Sequence, residues 1–166
     1  MKLTFKYKGR QYVFGVKYTE ECPFITNGTC AIYANAALAM NFYSYVKNNY
    51  SLNRRMTKQV ARELFLMAAS NAGQIYIDHD LHDLKKEEQL GVLLHESGHA
   101  YYNYGEEKAD SLAISVVGEK IYVSALENIY LKRAEGDIML AKEMLKYDIE
   151  NGGYSHRKSF HWKRLA

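Results

Sequence analysis

Two histidines and a glutamate stand at a spacing that can bind a metal ion and use it. His95, Glu96 and His99 form an HExxH sequence inside an apolar stretch that predicts a helix over 87–102. Side chains four residues apart on a helix share a face, so both imidazoles can bind one ion. Neutral imidazole is a preferred zinc ligand, and catalytic zinc takes three protein ligands and leaves one position for water. The motif therefore predicts one zinc per chain and requires a third ligand.

The glutamate of the motif has a separate role. Glu96 follows the first histidine directly, so it projects beside the metal-binding face and can accept a proton from a zinc-activated water. It is the predicted general base of a hydrolytic reaction. The leucines and the valine that precede the motif in residues 90–94 predict a buried helix, in which an unpaired histidine or glutamate would be costly. A polar helix face without a metal is therefore the weaker interpretation.

A second helix, predicted over 106–117, carries the candidate third ligand. A turn at residues 103–105 would bring the start of this helix back against the second histidine, and Glu106 would then supply a carboxylate. Glu107 is the alternative ligand, and Asp110 is a weaker one. Asp110 lies four residues after Glu106 on the same face, where it can hydrogen-bond the outer nitrogen of a ligating histidine. An ordinary charged helix start is the alternative for this segment.

The order of these segments resembles a known family. The predicted strand at residues 75–78, the sequence HESGHA and the sequence EEKADSLA together resemble the gluzincin metallopeptidases. They are most similar to the catalytic core of CAAX prenyl protease-type peptidases and to the soluble minigluzincins, in which an edge strand precedes HExxH and ExxxD follows on a helix. The resemblance covers residues 74–117. It implies a zincin-like fold, peptide-bond hydrolysis of the metalloendopeptidase type, Glu106 as third ligand and Asp110 behind the ligands.

The C-terminal segment offers donors for an oxyanion. A hydrolytic zinc site needs such a donor opposite the metal, and His156 is the first candidate, followed by Tyr154 and His161. A solvated basic terminus is the alternative interpretation of this segment. Its arginines and lysines are also a weak indication of nucleic-acid binding.

Three functions fit these residues. The first is a soluble zinc metallopeptidase that acts on a peptide or protein substrate. The second is a phage or DNA-associated regulatory metalloprotease whose basic tail contacts nucleic acid or a repressor. The third is a zinc-stabilised interaction module without turnover, against which Glu96 argues because a structural zinc site does not need it.

Length and composition limit the class of protein. With 166 residues, 48% apolar residues and a net charge of +3, the chain is expected to form one domain, with an N-terminal part (1–70), the metal-site core (74–117) and C-terminal helices with the tail (118–166). No apolar stretch is long enough for a membrane span, and the first residues lack a secretory signal, so a cytoplasmic location is expected. Cys22 and Cys30 are expected to be reduced thiols that bind no metal.

The remaining patterns predict an α+β fold with helices in the majority and a small antiparallel or mixed sheet. Alternating aromatic residues around Gly9 predict a β-hairpin. Residues 26–29 predict a turn before a helix over 31–47, and Thr57 is the predicted cap of a helix over 58–69. Further amphipathic helices are predicted over 121–131 and 138–147.

Two groups of residues near the motif are interpreted as structural. His79 and His82 stand among aspartates before the motif helix, where a solvated helix cap is expected. Tyr101, Tyr102 and Tyr104 follow the motif and are expected to pack at the end of its helix.

Overall fold

The computed structural model describes residues 1–26 and 28–166, and this part of the chain contains four β-strands and six α-helices. The strands are β1 (Lys2–Tyr7), β2 (Arg10–Tyr18), β3 (Ala31–Tyr33) and β4 (Ile75–Ile77). The helices are α1 (Ala36–Asn49), α2 (Arg54–Ser70), α3 (Lys86–Tyr102), α4 (Glu106–Val117), α5 (Glu119–Arg133) and α6 (Ile138–Asn151). The predicted α+β class with a helical majority is confirmed.

The N-terminal hairpin forms as predicted. β1 and β2 pair antiparallel, with Leu3 opposite Phe14 and Tyr7 opposite Arg10. The two turn residues, Lys8 and Gly9, have φ angles of +46° and +75°, as a two-residue turn of the type that matches strand twist requires.

The sheet is mixed, with the strand order β1-β2-β4-β3. β2 runs parallel to β4, and β3 pairs antiparallel with β4. Ile75, Tyr76 and Ile77 of β4 are at most 1% exposed, because this strand lies between two others. The expectation that residues 75–78 form an edge strand is therefore wrong, and the edge on that side of the sheet is β3.

The segment predicted as a helix over 31–47 divides into two elements. Residues 31–33 form β3, and α1 begins only at Ala36, where the Asn35 side chain accepts a hydrogen bond from the Leu38 amide. An apolar run of this length fits either a strand or a helix, and pairing with β4 decides in favour of a strand. The predicted turn before it includes residue 27, which lies outside the described residues.

The other predicted helices are present; α4 has its predicted bounds, and the ends of the others are shifted. α2 begins four residues before its predicted start, because Asn53 rather than Thr57 caps it. The connection before α3 is a 3-10 helix at His79–Asp83. Within residues 1–26 and 28–166, no helix has the length and hydropathy that crossing a membrane requires.

α3 is the central helix of the main core. Leu90 and Leu93 are at most 1% exposed and pack in the same apolar cluster as the strands and α5. The buried face that the sequence predicts for the motif helix is confirmed, and α3 therefore holds the HExxH side chains in a fixed position.

Candidate metal centre

The two histidines of the motif meet on one face of α3. His95 and His99 lie one helical turn apart, and their Nε2 atoms are 3.0 Å from each other. His95 is only 7% exposed, and its ring stands edge-on to that of His99. The predicted i, i+4 arrangement is confirmed.

A tight reversal brings α4 back against α3. Asn103 adopts the left-handed conformation at φ +53°, and the Tyr104 amide donates to the Gly98 carbonyl. A Cβ atom at Gly98 would lie 3.2 Å from both the Cα and the Cβ of Ala109. The absence of a side chain at this position therefore permits the two helices to approach closely.

This approach places Glu106, the first residue of α4, beside the histidines. Its Oε2 lies 3.2 Å from His95 Nε2 and 3.4 Å from His99 Nε2. Among the residues that the structure describes, these three form the one group of metal-binding side chains whose ligand atoms lie together. Glu107, the alternative ligand, is exposed and does not belong to this group.

The outer nitrogens of both histidines have hydrogen-bond acceptors. His99 Nδ1 lies 2.7 Å from the Tyr104 carbonyl oxygen, and His95 Nδ1 lies 2.7 Å from Asp110 Oδ1. When Nδ1–H donates in this way, Nε2 of the same ring is left with a lone pair. Both lone pairs therefore face Glu106 Oε2, a buried oxygen that receives no well-aligned hydrogen bond.

The spacing of these three atoms suits a tetrahedral ion. Bonds of ~2.0–2.1 Å to zinc separate neighbouring ligand atoms by about 3.4 Å, and the three separations between His95, His99 and Glu106 are 3.0–3.4 Å. Burial alone would raise the pKa of Glu106, but the adjacent imidazoles, when protonated, outweigh burial and lower it well below its usual range. The carboxylate is therefore ionised, and a metal ion can replace the protons of the imidazoles beside it.

Asp110 is the centre of a buried network behind the ligands. Its Oδ1 accepts hydrogen bonds from His95, from the Tyr122 hydroxyl at 2.5 Å and from Arg157 Nη2 at 2.9 Å. Its Oδ2 contacts Arg157 Nε at 2.7 Å and His156 Nε2 at 2.6 Å. Burial raises the pKa of this carboxyl, but hydrogen bonds with His95 and Arg157 outweigh burial and hold it well below its usual range. Asp110 therefore lies where the sequence predicts it.

Two members of this network were not identified from the sequence. Tyr122 is 1% exposed and Arg157 is 5% exposed. The sequence signal for Arg157 was its place next to His156 in a tail that contained candidate site residues. Tyr122 had no such signal, because it looks like any other residue on the buried face of α5.

Glu96 faces a cleft of about 390 Å³ that lies between α3 and the segment from β3 to α1. Tyr33, Asn41 and Tyr154 line the same cleft together with the three candidate ligands. Burial raises the pKa of Glu96, and the neighbouring histidines partly offset this effect. The predicted base and the predicted ligands therefore share one open space.

The three tail candidates for an oxyanion donor lie in different places. His156 directs Nε2 at Asp110, and His161 is exposed and lies 3.0 Å from Glu119. Tyr154 lines the cleft beside Glu96, with its ring stacked under the Arg157 guanidinium at 4.1 Å. The geometry thus favours Tyr154 over His156, the first candidate in the sequence.

The C-terminal tail is packed against the helices, so the interpretation as a solvated basic terminus is wrong. Arg157 and Leu165 are each 5% exposed, and the Trp162 indole donates to the Arg157 carbonyl. Glu127 accepts hydrogen bonds from the Arg164 side chain and from the Lys163 and Arg164 amides. Two of the basic side chains that suggested nucleic acid are therefore engaged within the protein.

The other groups noted in the sequence lie apart from the ligands. His79 pairs with Glu20 at 2.9 Å, and both cysteines are free thiols. Tyr101 is 57% exposed, so the expectation that it packs at the helix end is wrong. Tyr102 is 62% exposed, but its ring stacks on that of Tyr104 with 5.4 Å between the ring centroids.

Comparison of the chain with protein-family models, with curated proteins and with solved structures finds no match.

Proposed function

We propose that this protein is a zinc-dependent metallopeptidase of the gluzincin type, with His95, His99 and Glu106 as its ligands. One observation carries the proposal. Three acceptor atoms converge within 3.4 Å of one another, while the outer nitrogens of both imidazoles already have acceptors. Without a cation or an added proton, such a group of lone pairs is electrostatically unfavourable.

The donor set favours zinc among the common metal ions. Two imidazoles and one carboxylate form a ligand set of catalytic zinc sites, which leave one position open. Zinc in such a site polarises a carbonyl group and makes water more acidic. Asp110 supports this set by holding the His95 ring through Nδ1, as an acceptor behind a metal-binding histidine does.

Glu96 is suited to move the proton in peptide hydrolysis. Its carboxylate lines the cleft beside the ligands, where it can accept a proton from the attacking water and deliver it to the nitrogen of the leaving amine. A site with only a structural role would not need a carboxylate there. This placement supports an enzyme over an interaction module.

Tyr154 is suited to stabilise the oxyanion. Its hydroxyl group is a donor on a side chain that shares the cleft with Glu96. Burial raises the pKa of Tyr154 to about 12, so the hydroxyl keeps its proton at neutral pH and can donate it in a hydrogen bond. The stacked Arg157 guanidinium fixes the ring.

The free edge of β3 favours a peptide as the substrate. The Ala34 amide donates to the Gln74 carbonyl and the Asp78 amide donates to the Cys30 carbonyl, so even-numbered residues of this strand direct their backbone groups towards β4. Ala31 and Tyr33 consequently present theirs to the opposite, open side, because pairing alternates along an antiparallel strand. Both residues line the cleft. The Tyr33 amide is directed at the Glu96 carboxylate, so an extended chain can pair with the Ala31 backbone and the Tyr33 carbonyl group.

Metal content and turnover test the proposal separately. Purified protein should contain one zinc per chain, Glu106→Gln should lose it, and the adjacent Glu107→Gln should retain it. Glu96→Gln should retain zinc but reduce cleavage of a peptide library by ~10²–10⁴-fold, the usual contribution of general-base catalysis.

Two results of these measurements would contradict the proposal. Equal zinc content in the Glu106 and Glu107 variants would remove Glu106 from the ligand set. A zinc-loaded wild type that is as inert as Glu96→Gln across the library would favour the interaction module.

A further inference from the structure

The outward face of α2 combines positive charge with exposed apolar side chains. Residues 36–70, which include α1 and α2, contain five lysines or arginines and one acidic residue, so they carry a net charge of +4. The rest of the chain therefore has a net charge of −1, since the whole chain carries +3. The excess positive charge of the protein is thus confined to this pair of helices.

The basic side chains of α2 form a stripe that faces away from the core. Val60, Leu64 and Met67 pack inward. The opposite face repeats every three or four residues, which is the spacing of one helical surface, and consists of Arg55, Lys58, Arg62, Phe65, Leu66 and Ala69. All six are exposed, with Phe65 at 71% and Leu66 at 56%.

The stripe is unfavourable for an isolated helix. Arg54 and Arg55 stand in the first turn, where the helix dipole disfavours positive charge. Lys58 and Arg62 are four residues apart, where like charges repel. Among the described ion pairs, none includes any of these four side chains. Within residues 1–26 and 28–166, no carboxylate therefore forms an ion pair with these cations.

Large apolar side chains are also concentrated here. Of the fifteen that the structure exposes in residues 1–26 and 28–166, six lie between residues 36 and 70. On α2, Phe65 and Leu66 follow Arg62 within one helical turn. A nucleic-acid backbone would use the cations and leave these apolar groups in water, whereas an anionic lipid surface uses both.

We propose that the outward face of α2 binds the surface of an anionic membrane, with its cations at the phosphate level and with Phe65 and Leu66 inserted among the acyl chains. The protein then lies on the bilayer without crossing it. α1 packs against α2 and contributes Ala37, Leu38 and Asn41 to the cleft wall, so the same helix pair borders both surfaces. Such membrane binding requires neither zinc nor proteolysis.

Flotation of the 166-residue chain with lipid vesicles tests this membrane binding. Vesicles of one part phosphatidylserine to two parts phosphatidylcholine should bind the wild type, and vesicles of phosphatidylcholine alone should not. A triple variant with Arg55→Gln, Lys58→Gln and Arg62→Gln should partition about 100-fold more weakly, since each cation near an anionic surface contributes roughly fivefold. The matched control carries Lys2→Gln, Lys6→Gln and Lys17→Gln, which removes three exposed charges from β1 and β2, and it should bind like the wild type.

A second variant separates membrane binding from simple charge attraction. Phe65→Ser with Leu66→Ser keeps every cation and should bind the anionic vesicles about tenfold or more weakly. Both side chains are exposed, so circular dichroism should show an unchanged fold. The proposal is overturned if the wild type does not float with anionic vesicles, or if the two triple variants lose binding equally. It is also overturned if short duplex DNA binds more tightly than the vesicles and the Phe65/Leu66 variant keeps full affinity for both.

Discussion

The guanidinium of Arg157 lies along the carboxylate of Asp110, with Nε 2.7 Å from Oδ2 and Nη2 2.9 Å from Oδ1. Asp110 is 1% exposed and Arg157 is 5% exposed. Two parallel hydrogen bonds of this kind fix the relative position of both planes. The pair therefore joins the C-terminal tail to the helix that begins with Glu106.

Removal of the arginine should strongly destabilise the protein. Arg157→Gln leaves the Asp110 charge buried without its main partner, which costs about 3–5 kcal/mol. Lys132→Gln is the control. Lys132 pairs with Asp80 and Asp83, and all three side chains are exposed, so its loss should cost about 1 kcal/mol or less. Urea denaturation of the metal-free proteins measures both. Equal costs would show that the Asp110 pair is not a buried ion pair in solution.

Removal of the charge on Asp110 should weaken metal binding without abolishing it. Asp110→Asn keeps the size of the side chain but no longer offers His95 a charged acceptor, so zinc affinity should fall ~10–100-fold. Competition with a chromophoric chelator measures the affinity. Asp148→Asn provides the control, because Asp148 also accepts a hydrogen bond from a buried tyrosine but does not belong to the ligand group. Unchanged zinc affinity in Asp110→Asn would mean that zinc binding by His95 does not depend on a charged hydrogen-bond acceptor at Nδ1.

Loss of the Tyr154 hydroxyl should slow turnover selectively. Tyr154→Phe preserves the ring that stacks on Arg157 and removes the donor, so kcat should fall by about 10²–10³-fold, as for other oxyanion donors. Zinc content and KM should remain close to those of the wild type. Tyr102→Phe, an exposed substitution, controls for loss of a hydroxyl group. If His156→Gln lowers kcat with zinc affinity intact and Tyr154→Phe does not, the donor is His156.

An added methyl group between α3 and α4 should weaken zinc binding indirectly, by changing the distance between the two helices. Gly98→Ala places a Cβ atom 3.2 Å from the backbone and side chain of Ala109, and such overpacking costs about 1–3 kcal/mol. Because α4 carries Glu106, zinc affinity should fall along with stability. Gly105→Ala is the comparison, since nothing lies within 4 Å of a Cβ at that position. Equal zinc affinity in the two variants would show that the close approach of the helices does not position the carboxylate.

The core of the candidate site could be predicted because its geometry is local. His95, Glu96 and His99 depend only on the repeat of α3, and Glu106 follows after a short reversal whose glycine ends the helical pattern. The predicted starts and ends of α3 and α4 agree with the structure to within one residue. Spacing along the chain therefore contains most of the information about the ligands.

The elements and residues that could not be predicted from the sequence depend on contacts between residues far apart in the chain. Residues 31–33 have a composition that suits either kind of element, and only pairing with β4 makes them a strand. Arg157 reaches Asp110 across 47 positions of sequence. A solvated basic tail and a packed tail have similar compositions. The burial of Arg157 and Leu165 therefore could not be predicted from the sequence and is visible only in the tertiary structure.

The three candidate ligands occupy only twelve consecutive residues, from His95 to Glu106, whereas Tyr154 and Arg157 join the site from the far end of the chain. Contacts between nearby residues form early during folding, because closing a short loop loses little entropy. The helical hairpin of α3 and α4 can therefore assemble its ligands before the tail docks. In the proposed enzyme, the residues that bind the metal would therefore come together before the proposed oxyanion donor, which reaches the cleft only when residues 154–157 dock.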